Sequence, residues 1–350
     1  MDVLSDTLRV VRLSGAVFLN AQMTTPWAFV TSSSGDMARY LRLPSDCVAL
    51  FHIIVQGQGW VSVPGHSPAR LRAGDAILLP HNPPHEISSG QGLTPVPMVS
   101  VLPPLPPEGF VVIGDGQLGE TSQILCGFLH CDQRFHPLLG ALPELLVVHP
   151  GESEQEPAGS GAAGVAVGVG ATAPVVLHVQ PEEWLATTLR HTVEESLAGR
   201  PGSSDMLARL SELLFVEIVR RYMRQLPEAQ PGWLAGVRDP IVGQTLGLLH
   251  ARPEHAWTVE ELAQAVAVSR SSLAERFTAL IGETPMRYLA TWRMHLAKSL
   301  LKETALSLGE VAMRVGYDSD VAFNRAFKRM VGQPPAAWRA AATANAPLEP

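Results

Sequence analysis

The chain has 350 residues, 46% hydrophobic and 17% charged, which is enough apolar material for two or three packed domains and too much for a disordered protein. A formal net charge of −7 excludes a generally basic coat for nucleic acid, and three cysteines (Cys47, Cys126 and Cys131) exclude a disulfide-dense scaffold. The opening Met1-Asp2-Val3-Leu4 lacks a basic region followed by an apolar run, so no signal peptide is expected. The uncharged stretch from Pro157 to Val179 is mostly Gly, Ala and Val and too poor in Leu, Ile and Phe for a membrane span, so a cytoplasmic protein without membrane partners is expected.

Residues 1–149 are rich in Pro, Gly and β-branched residues. Runs such as Leu50 to Val55, Trp60 to Val63 and Ala76 to Leu79 are separated by Gly57, Gly59, Pro64-Gly65 and Gly74. Short strands punctuated this way predict a small β-sandwich or barrel. Residues 150–180 start acidic and turn Gly/Ala-rich, which reads as a loop or linker. In 181–226 the apolar period changes to three and four. Trp184, Leu185, Thr188, Leu189 and Val193, then Leu207, Leu210, Leu213, Leu214 and Ile218, predict two amphipathic helices broken at Gly199-Arg200-Pro201-Gly202. This pair is expected to dimerise the chain. Residues 227–238 carry prolines and glycines and read as a second linker. A helical domain is expected over 239–340.

That last domain contains an internal repeat. Thr258, Glu261 and Ala263 recur as Ser307, Glu310 and Ala312 at an offset of 49, and Leu273 and Phe277 recur as Phe323 and Phe327 at an offset of 50. In each copy a hydroxyl residue stands three places before a Glu, the spacing of a capping box. A small Ala follows where two helices must approach closely. Val268 and Tyr317 are apolar turn residues, and Gly316 suits a turn that needs positive φ. The next helix has an apolar inner stripe and a polar outer face. Between the copies, Pro285 to Leu301 predicts one long helix with Met286, Leu289, Trp292, Leu296 and Leu300 on its apolar stripe. Two helix-turn-helix units on a rigid spacer can read adjacent major-groove segments. Residues 239–339 hold twelve basic and ten acidic residues, out of 26 and 33 in the chain, so a segment less acidic than the rest coincides with the repeat.

The stretch from Gly309 to Pro335, together with Gly282-Glu283-Thr284-Pro285 and Trp292-Arg293-Met294, resembles the DNA-binding domain of the AraC/XylS family of bacterial transcription regulators. The resemblance implies seven helices and double-stranded promoter DNA as partner, with RNA polymerase as a second partner if the protein activates. By position, Ser271, Ser272, Ala274 and Glu275 would face DNA in the first unit. Ser319, Asp320, Val321, Asn324 and Arg325 would do so in the second. Arg270, Lys328 and Arg329 would contact phosphates. In the first unit Ser, Ala and Glu stand where larger or basic residues are often found. Glu275 could accept from a cytosine amino group or pair with a nearby Arg.

In the first domain, Gly74, Pro80, Asn82 and His85 have the spacing of the second cupin motif, with Asn82 in place of the usual Gly. This resembles the subgroup of the same family with a cupin-like barrel, which would place a sensor there. His52 is followed by Ile53 and Ile54, so the His-x-His pair of metal-dependent cupin enzymes is missing. No catalytic residue, catalytic metal or required cofactor is expected. His52, His81 and His85 are candidates for ligand contact, structural hydrogen bonds or a regulatory metal. Cys126 and Cys131 are candidates for a redox sensor with a low-pKa thiolate, against the plainer reading of buried apolar residues. The expectation is a multidomain regulator, a cupin-like β-barrel followed by an all-α double helix-turn-helix domain, homodimeric and responsive to a small molecule, metal or redox signal. The competitors are a constitutive DNA-binding protein with a passive barrel and a bifunctional cupin enzyme.

Overall fold

The computed structural model describes residues 2–11, 14–31, 34–41, 48–102, 111–114, 119–130, 137–150, 172–180, 183–198, 200–227 and 230–344. Cys47 and Cys131 lie outside them, as does most of the Gly/Ala-rich stretch. The described residues form two compact units. One unites 2–11, 137–141 and 225–344, and the other unites 14–130 and 142–224.

Helix α1 (Val3–Val11) opens the chain and belongs to the first of these units. The barrel unit follows with β1 (Ser14–Thr24), β2 (Ala28–Thr31), helix α2 (Ser34–Tyr40), β3 (Val48–Gln56), β4 (Gln58–Ser62), β5 (Ala69–Arg72), β6 (Ala76–Leu79), β7 (His85–Ser88), β8 (Val96–Pro97), β9 (Val111–Gly114) and β10 (Thr121–His130). A short helix α3 (Pro137–Gly140) is followed by β11 (Leu146–Pro150) and β12 (Val175–Val179). Seven strands form one sheet in the order β12-β11-β6-β3-β10-β1-β9, and five form a second in the order β5-β4-β7-β2-β8. Their inner faces share one apolar core that includes Leu19, Leu50, Ile54, Val61, Leu71, Ile77, Leu79 and Val147. The alternation along β4, where Gly59 and Val61 are buried between more exposed neighbours, is the period-two pattern of a sheet with one wet face. Helices α4 (Trp184–Ala198) and α5 (Ser203–Gln225) complete this unit, broken where the Arg-Pro-Gly sequence predicts.

The helical unit continues with α6 (Trp233–Arg238), α7 (Pro240–Ala251), α8 (Val259–Ala265), α9 (Arg270–Ile281), α10 (Pro285–Glu303), α11 (Leu308–Arg314), α12 (Asp320–Val331) and α13 (Pro335–Ala344). Helix α1 packs on α7 and α10, with Val3, Leu4, Thr7 and Val10 forming its buried stripe. The Asp2 carboxylate accepts the Leu4 N–H at 3.0 Å and caps its first turn.

Three boundaries differ from the sequence reading. Residues 2–11 and 137–141 join the helical unit although 1–149 reads as one sensor domain, because α1 is too short for its period to stand out among the strands. The linker expected over 150–180 contains β12, which pairs in parallel with β11 and extends the sheet. The linker expected over 227–238 contains α6, whose Trp233 is buried and donates its indole N–H to the Tyr288 hydroxyl at 3.0 Å. Long α10 is buried around more of its circumference than a single stripe. Tyr288, Leu289, Trp292, Met294, His295, Ala297 and Leu301 are all buried, while Met286, Leu296 and Leu300 are half-buried.

Candidate functional site

The two helix-turn-helix units are built by the same local devices. Thr258 and Ser307 cap α8 and α11. Each hydroxyl accepts the N–H of the Glu three residues on, and that Glu, 261 or 310, accepts the cap residue's own N–H. The same bonds hold both carboxyls below the usual range. Ala263 and Ala312 are buried where the helices meet. The turns match bond for bond: Val268 N–H donates to Ala263 C=O at 3.0 Å, and Tyr317 N–H to Ala312 C=O at 2.9 Å. Both turns pass through the left-handed region, with Gly316 at φ +80° and Ala267, its counterpart, at φ +57°. Ser269 and Ser319 then cap α9 and α12, accepting from Ser272 and Ala322 at 3.2 and 3.3 Å. Ser319, expected to face DNA, therefore also holds the start of its helix.

Helix α10 contacts α9 on one side and α11, α12 and α13 on the other. The Arg293 guanidinium on α10 donates to the carbonyls of Pro253 at 2.7 Å and His255 at 2.9 Å, and it lies 5.7 Å from the Tyr317 ring centre. One side chain thus ties the loop before the first unit to the turn of the second. Sequence spacing did not single out Arg293 for this role, because its carbonyl partners lie 38 and 40 residues away.

The outer faces of α9 and α12 differ in charge. On α9, Ser271, Ser272 and Glu275 are exposed and Ala274 is half-buried. Both arginines at this end are engaged: Arg270 with Glu260 at 2.9 Å, and Arg276 with Asp239 at 2.6 Å. Glu275 makes no ion pair among the described residues, so the intramolecular pairing considered for it is not formed. On α12, Asp320, Val321, Arg325, Lys328 and Arg329 are exposed, and none of these three cations makes an ion pair among the described residues. Val321 is 62% exposed, an unusual place for a β-branched apolar side chain unless it meets a surface such as a thymine methyl. Asn324 is half-buried and gives one amide N–H to the Asp320 carbonyl at 2.7 Å, which leaves its second N–H and its amide oxygen with spare capacity.

In the barrel, β3 and β10 place His52 directly opposite Cys126, and His85 enters from the start of β7. The three form a chain. Cys126 Sγ lies 2.9 Å from His52 Nδ1, and His52 Nε2 lies 3.2 Å from His85 Nε2. His85 Nδ1 lies 2.8 Å from the Pro83 carbonyl and 2.7 Å from Thr31 Oγ1. A carbonyl can only accept, which places the His85 proton on Nδ1 and leaves Nε2 to accept from His52. His52 Nδ1 then accepts from the Cys126 thiol. Every proton in the chain has one direction. Burial holds His52 well below its usual range and His85 down to about 4, against the opposing effect of the Pro83 carbonyl on His85. Burial also pushes the Cys126 thiol up. The cluster is neutral at neutral pH.

This corrects two expectations. Cys126 is a buried thiol in the neutral form, not the low-pKa thiolate that a redox sensor needs. His81 does not converge with His52 and His85; it is exposed and its Nε2 lies 3.1 Å from the Leu142 carbonyl. Cys131 lies outside the described residues. No group of three His, Cys, Asp or Glu side chains suited to a metal ion occurs among the described residues. No helix among them is long and apolar enough to cross a membrane. Asn82 sits at φ +43°, which explains why the cupin motif usually has Gly there. The role of Thr31 at His85 had no sequence signal.

Comparison with known proteins follows the same division. A family model described as a cupin matches residues 2–167 and 169–224, and one described as a helix-turn-helix domain matches 262–341. The helix-turn-helix transcriptional regulator AlkR of Acinetobacter baylyi is 28% identical over 350 residues, covering 97% of this chain and 99% of its own. A Streptomyces lividans protein bearing the name of an AraC-like transcription regulator is 40% identical over 163 residues, 46% of this chain. The chain spans about half, 52%, of that relative's length. The DNA-binding domain of AdpA, solved in complex with a target DNA, is 37% identical, with a TM-score of 0.30, over 32% of this chain and 99% of its own.

Proposed function

Because this chain belongs to the AraC/XylS family of DNA-binding transcription regulators, with a cupin domain ahead of its helix-turn-helix domain, we propose that α9 and α12 read adjacent major-groove segments of its operator while the barrel senses a small molecule that biases this binding. The observation that carries the reading is the pair of matching helix-turn-helix units around α10, with Arg325, Lys328 and Arg329 on the second recognition helix making no ion pair among the described residues.

In this reading α12 supplies most of the electrostatic attraction, and Arg325 meets a base edge or a phosphate. Helix α9 contributes shape and the hydroxyls of Ser271 and Ser272. Its Arg270 must leave Glu260 before it can hold a phosphate. The exposed Trp184 and Leu197 on α4, with Met206 and Leu213 on α5, support pairing with a second copy in the cytoplasm. RNA polymerase is a partner if the protein activates. The neutral Cys126 and the ordered His52–His85 chain favour a ligand over oxidation as the signal, and no cofactor is required.

The test is binding of the purified full chain to its own upstream DNA across a salt series, with and without reductant and chelator. Tight binding that is weakened in Arg325→Ala and indifferent to reductant is the expected result. Binding that follows thiol state would overturn the assignment of Cys126 as a passive thiol. Full affinity in Arg325→Ala, with folding intact, would remove α12 as the reader.

A further inference from the structure

The β3–β4 turn, strand β5 and the start of β10 enclose a cleft of about 570 Å³ in the barrel unit. Among the described residues its lining contains no hydrocarbon side chain: apart from two glycines, every one is polar or charged. Small-molecule pockets are ordinarily mostly apolar, so this lining selects a hydrophilic occupant.

The cleft is built by strand register. Gln58 pairs with Arg72 and Trp60 with Arg70 across β4 and β5, which puts Gln58, Arg70 and Arg72 on one face. Arg70 Nη2 donates to Gln58 Oε1 at 2.9 Å, drawing its guanidinium toward the turn. The floor is backbone. At Gly57, φ +82°, an added Cβ would lie 2.8 Å from both Ser122 Oγ and the Thr121 carbonyl, so the turn can pack this closely only without a side chain. Ser122 Oγ donates to the Gln58 carbonyl at 3.1 Å and closes the seam. In a chain of net charge −7, two guanidinium groups face one carboxylate, that of Glu120, among the described residues here.

We propose that this cleft binds a small hydroxylated anion. The guanidinium groups of Arg70 and Arg72 would hold its carboxylate or phosphate ester, with Glu120 and the amides of Gln56 and Gln58 accepting from its hydroxyls. Planar guanidinium forks suit both kinds of oxyanion, and amide and hydroxyl linings suit polyols. The site lies at the ends of the two strands that carry His52 and Cys126: Gln56 ends β3, Thr121 starts β10, and Gln56 pairs with Gln123. An occupant would clamp strands whose middles are joined by the thiol–imidazole chain. Any effect on DNA rests on the sensing role proposed above; occupancy of the cleft does not.

The experiment is calorimetric titration of the full chain with gluconate and with glycerol 3-phosphate, using sorbitol as the neutral control at matched ionic strength. We expect one anion to bind with a Kd below about 1 mM. The Arg70→Gln/Arg72→Gln double variant should weaken it at least about tenfold with an unchanged unliganded melting midpoint, and Glu120→Gln should tighten it by removing a like charge. No heat from either anion up to about 10 mM, equal binding of sorbitol, or undiminished binding by the double arginine variant would each overturn the site. Binding that meets these criteria but leaves operator affinity unchanged keeps the site and removes the sensing role.

Discussion

The turn of the second helix-turn-helix offers a sharp quantitative test. In Gly316→Ala, the new side chain must occupy φ +80°, where an L-residue costs roughly 1–2 kcal/mol. Its Cβ would lie 2.6 Å from Arg293 Nη2, 2.7 Å from Arg293 Cζ and 2.9 Å from Glu254 Cα. The backbone contact cannot swing away, and moving the guanidinium breaks its bonds to Pro253 and His255. A charge-assisted bond of this kind contributes about 1.5–3 kcal/mol, partly recovered by water here. The expected destabilisation is about 3 kcal/mol. The matching substitution in the first unit should go the other way. Ala267 already sits in the left-handed region and is exposed, so Ala267→Gly relieves strain of about 1–2 kcal/mol against a backbone-entropy cost of about 0.5–1. Urea unfolding of the full chain, followed by far-ultraviolet circular dichroism, reads both. A Gly316→Ala cost below about 1 kcal/mol would show that Arg293 gives way freely and that the coupling assigned to it is not there.

Four further outcomes are expected. Arg325→Ala should weaken operator binding by about 1–3 kcal/mol and, where a phosphate is the contact, lower the slope of log affinity on log salt by about one; Arg270→Ala, already paired with Glu260, should do less in the same salt titration. Thr258→Ala and Ser307→Ala should each cost about 1 kcal/mol in urea unfolding by removing one capping box. Phe327→Ala, fully buried in the second unit's core, should cost about 3–5 kcal/mol in the same assay. Burial holds His250 and His295 at about 3 and His85 at about 4, so all three are neutral when folded. Unfolded histidines bind protons near 6.5. Stability should therefore be fully present above about pH 6.5 and fall as pH drops toward 4, by about 1.4 kcal/mol per pH unit for each histidine; a flat profile between pH 6.5 and 4 would contradict their burial.

Much of the recognition machinery was legible because it is made of local signals. A capping box needs only a hydroxyl and a Glu three residues on, and a repeat offset needs only counting. The strands around Gly57, Gly59 and Gly74 were legible for the same reason, as turn residues bracket short runs. What escaped depends on pairings distant in sequence. The proton-ordered chain through His52, His85, Cys126 and Thr31 joins residues from β2, β3, β7 and β10, and no spacing rule brings them together. The redox reading of Cys126 lacked the knowledge that its thiol lies in the barrel core, where burial raises its pKa. Arg270 stood beside Lys328 and Arg329 as an expected phosphate contact until the structure paired it with Glu260. Helix α6 was hidden by the prolines and glycines ahead of it, although Trp233 is the kind of side chain that seldom stays in a linker.

Helix α1 carries a practical and biosynthetic consequence. It is made before the barrel, yet the helices it packs on, α7 and α10, are made after it. Val3, Leu4 and Val10 must therefore wait with an uncovered apolar stripe while the whole barrel is synthesised, a candidate site for chaperone capture on the ribosome. A fragment cut just before α7, the natural choice for isolating the DNA-binding part, leaves behind both α1 and α6. The faces that those helices cover would be bared to solvent, and poor solubility of such a fragment would report the missing N-terminal helix rather than a defect in either helix-turn-helix.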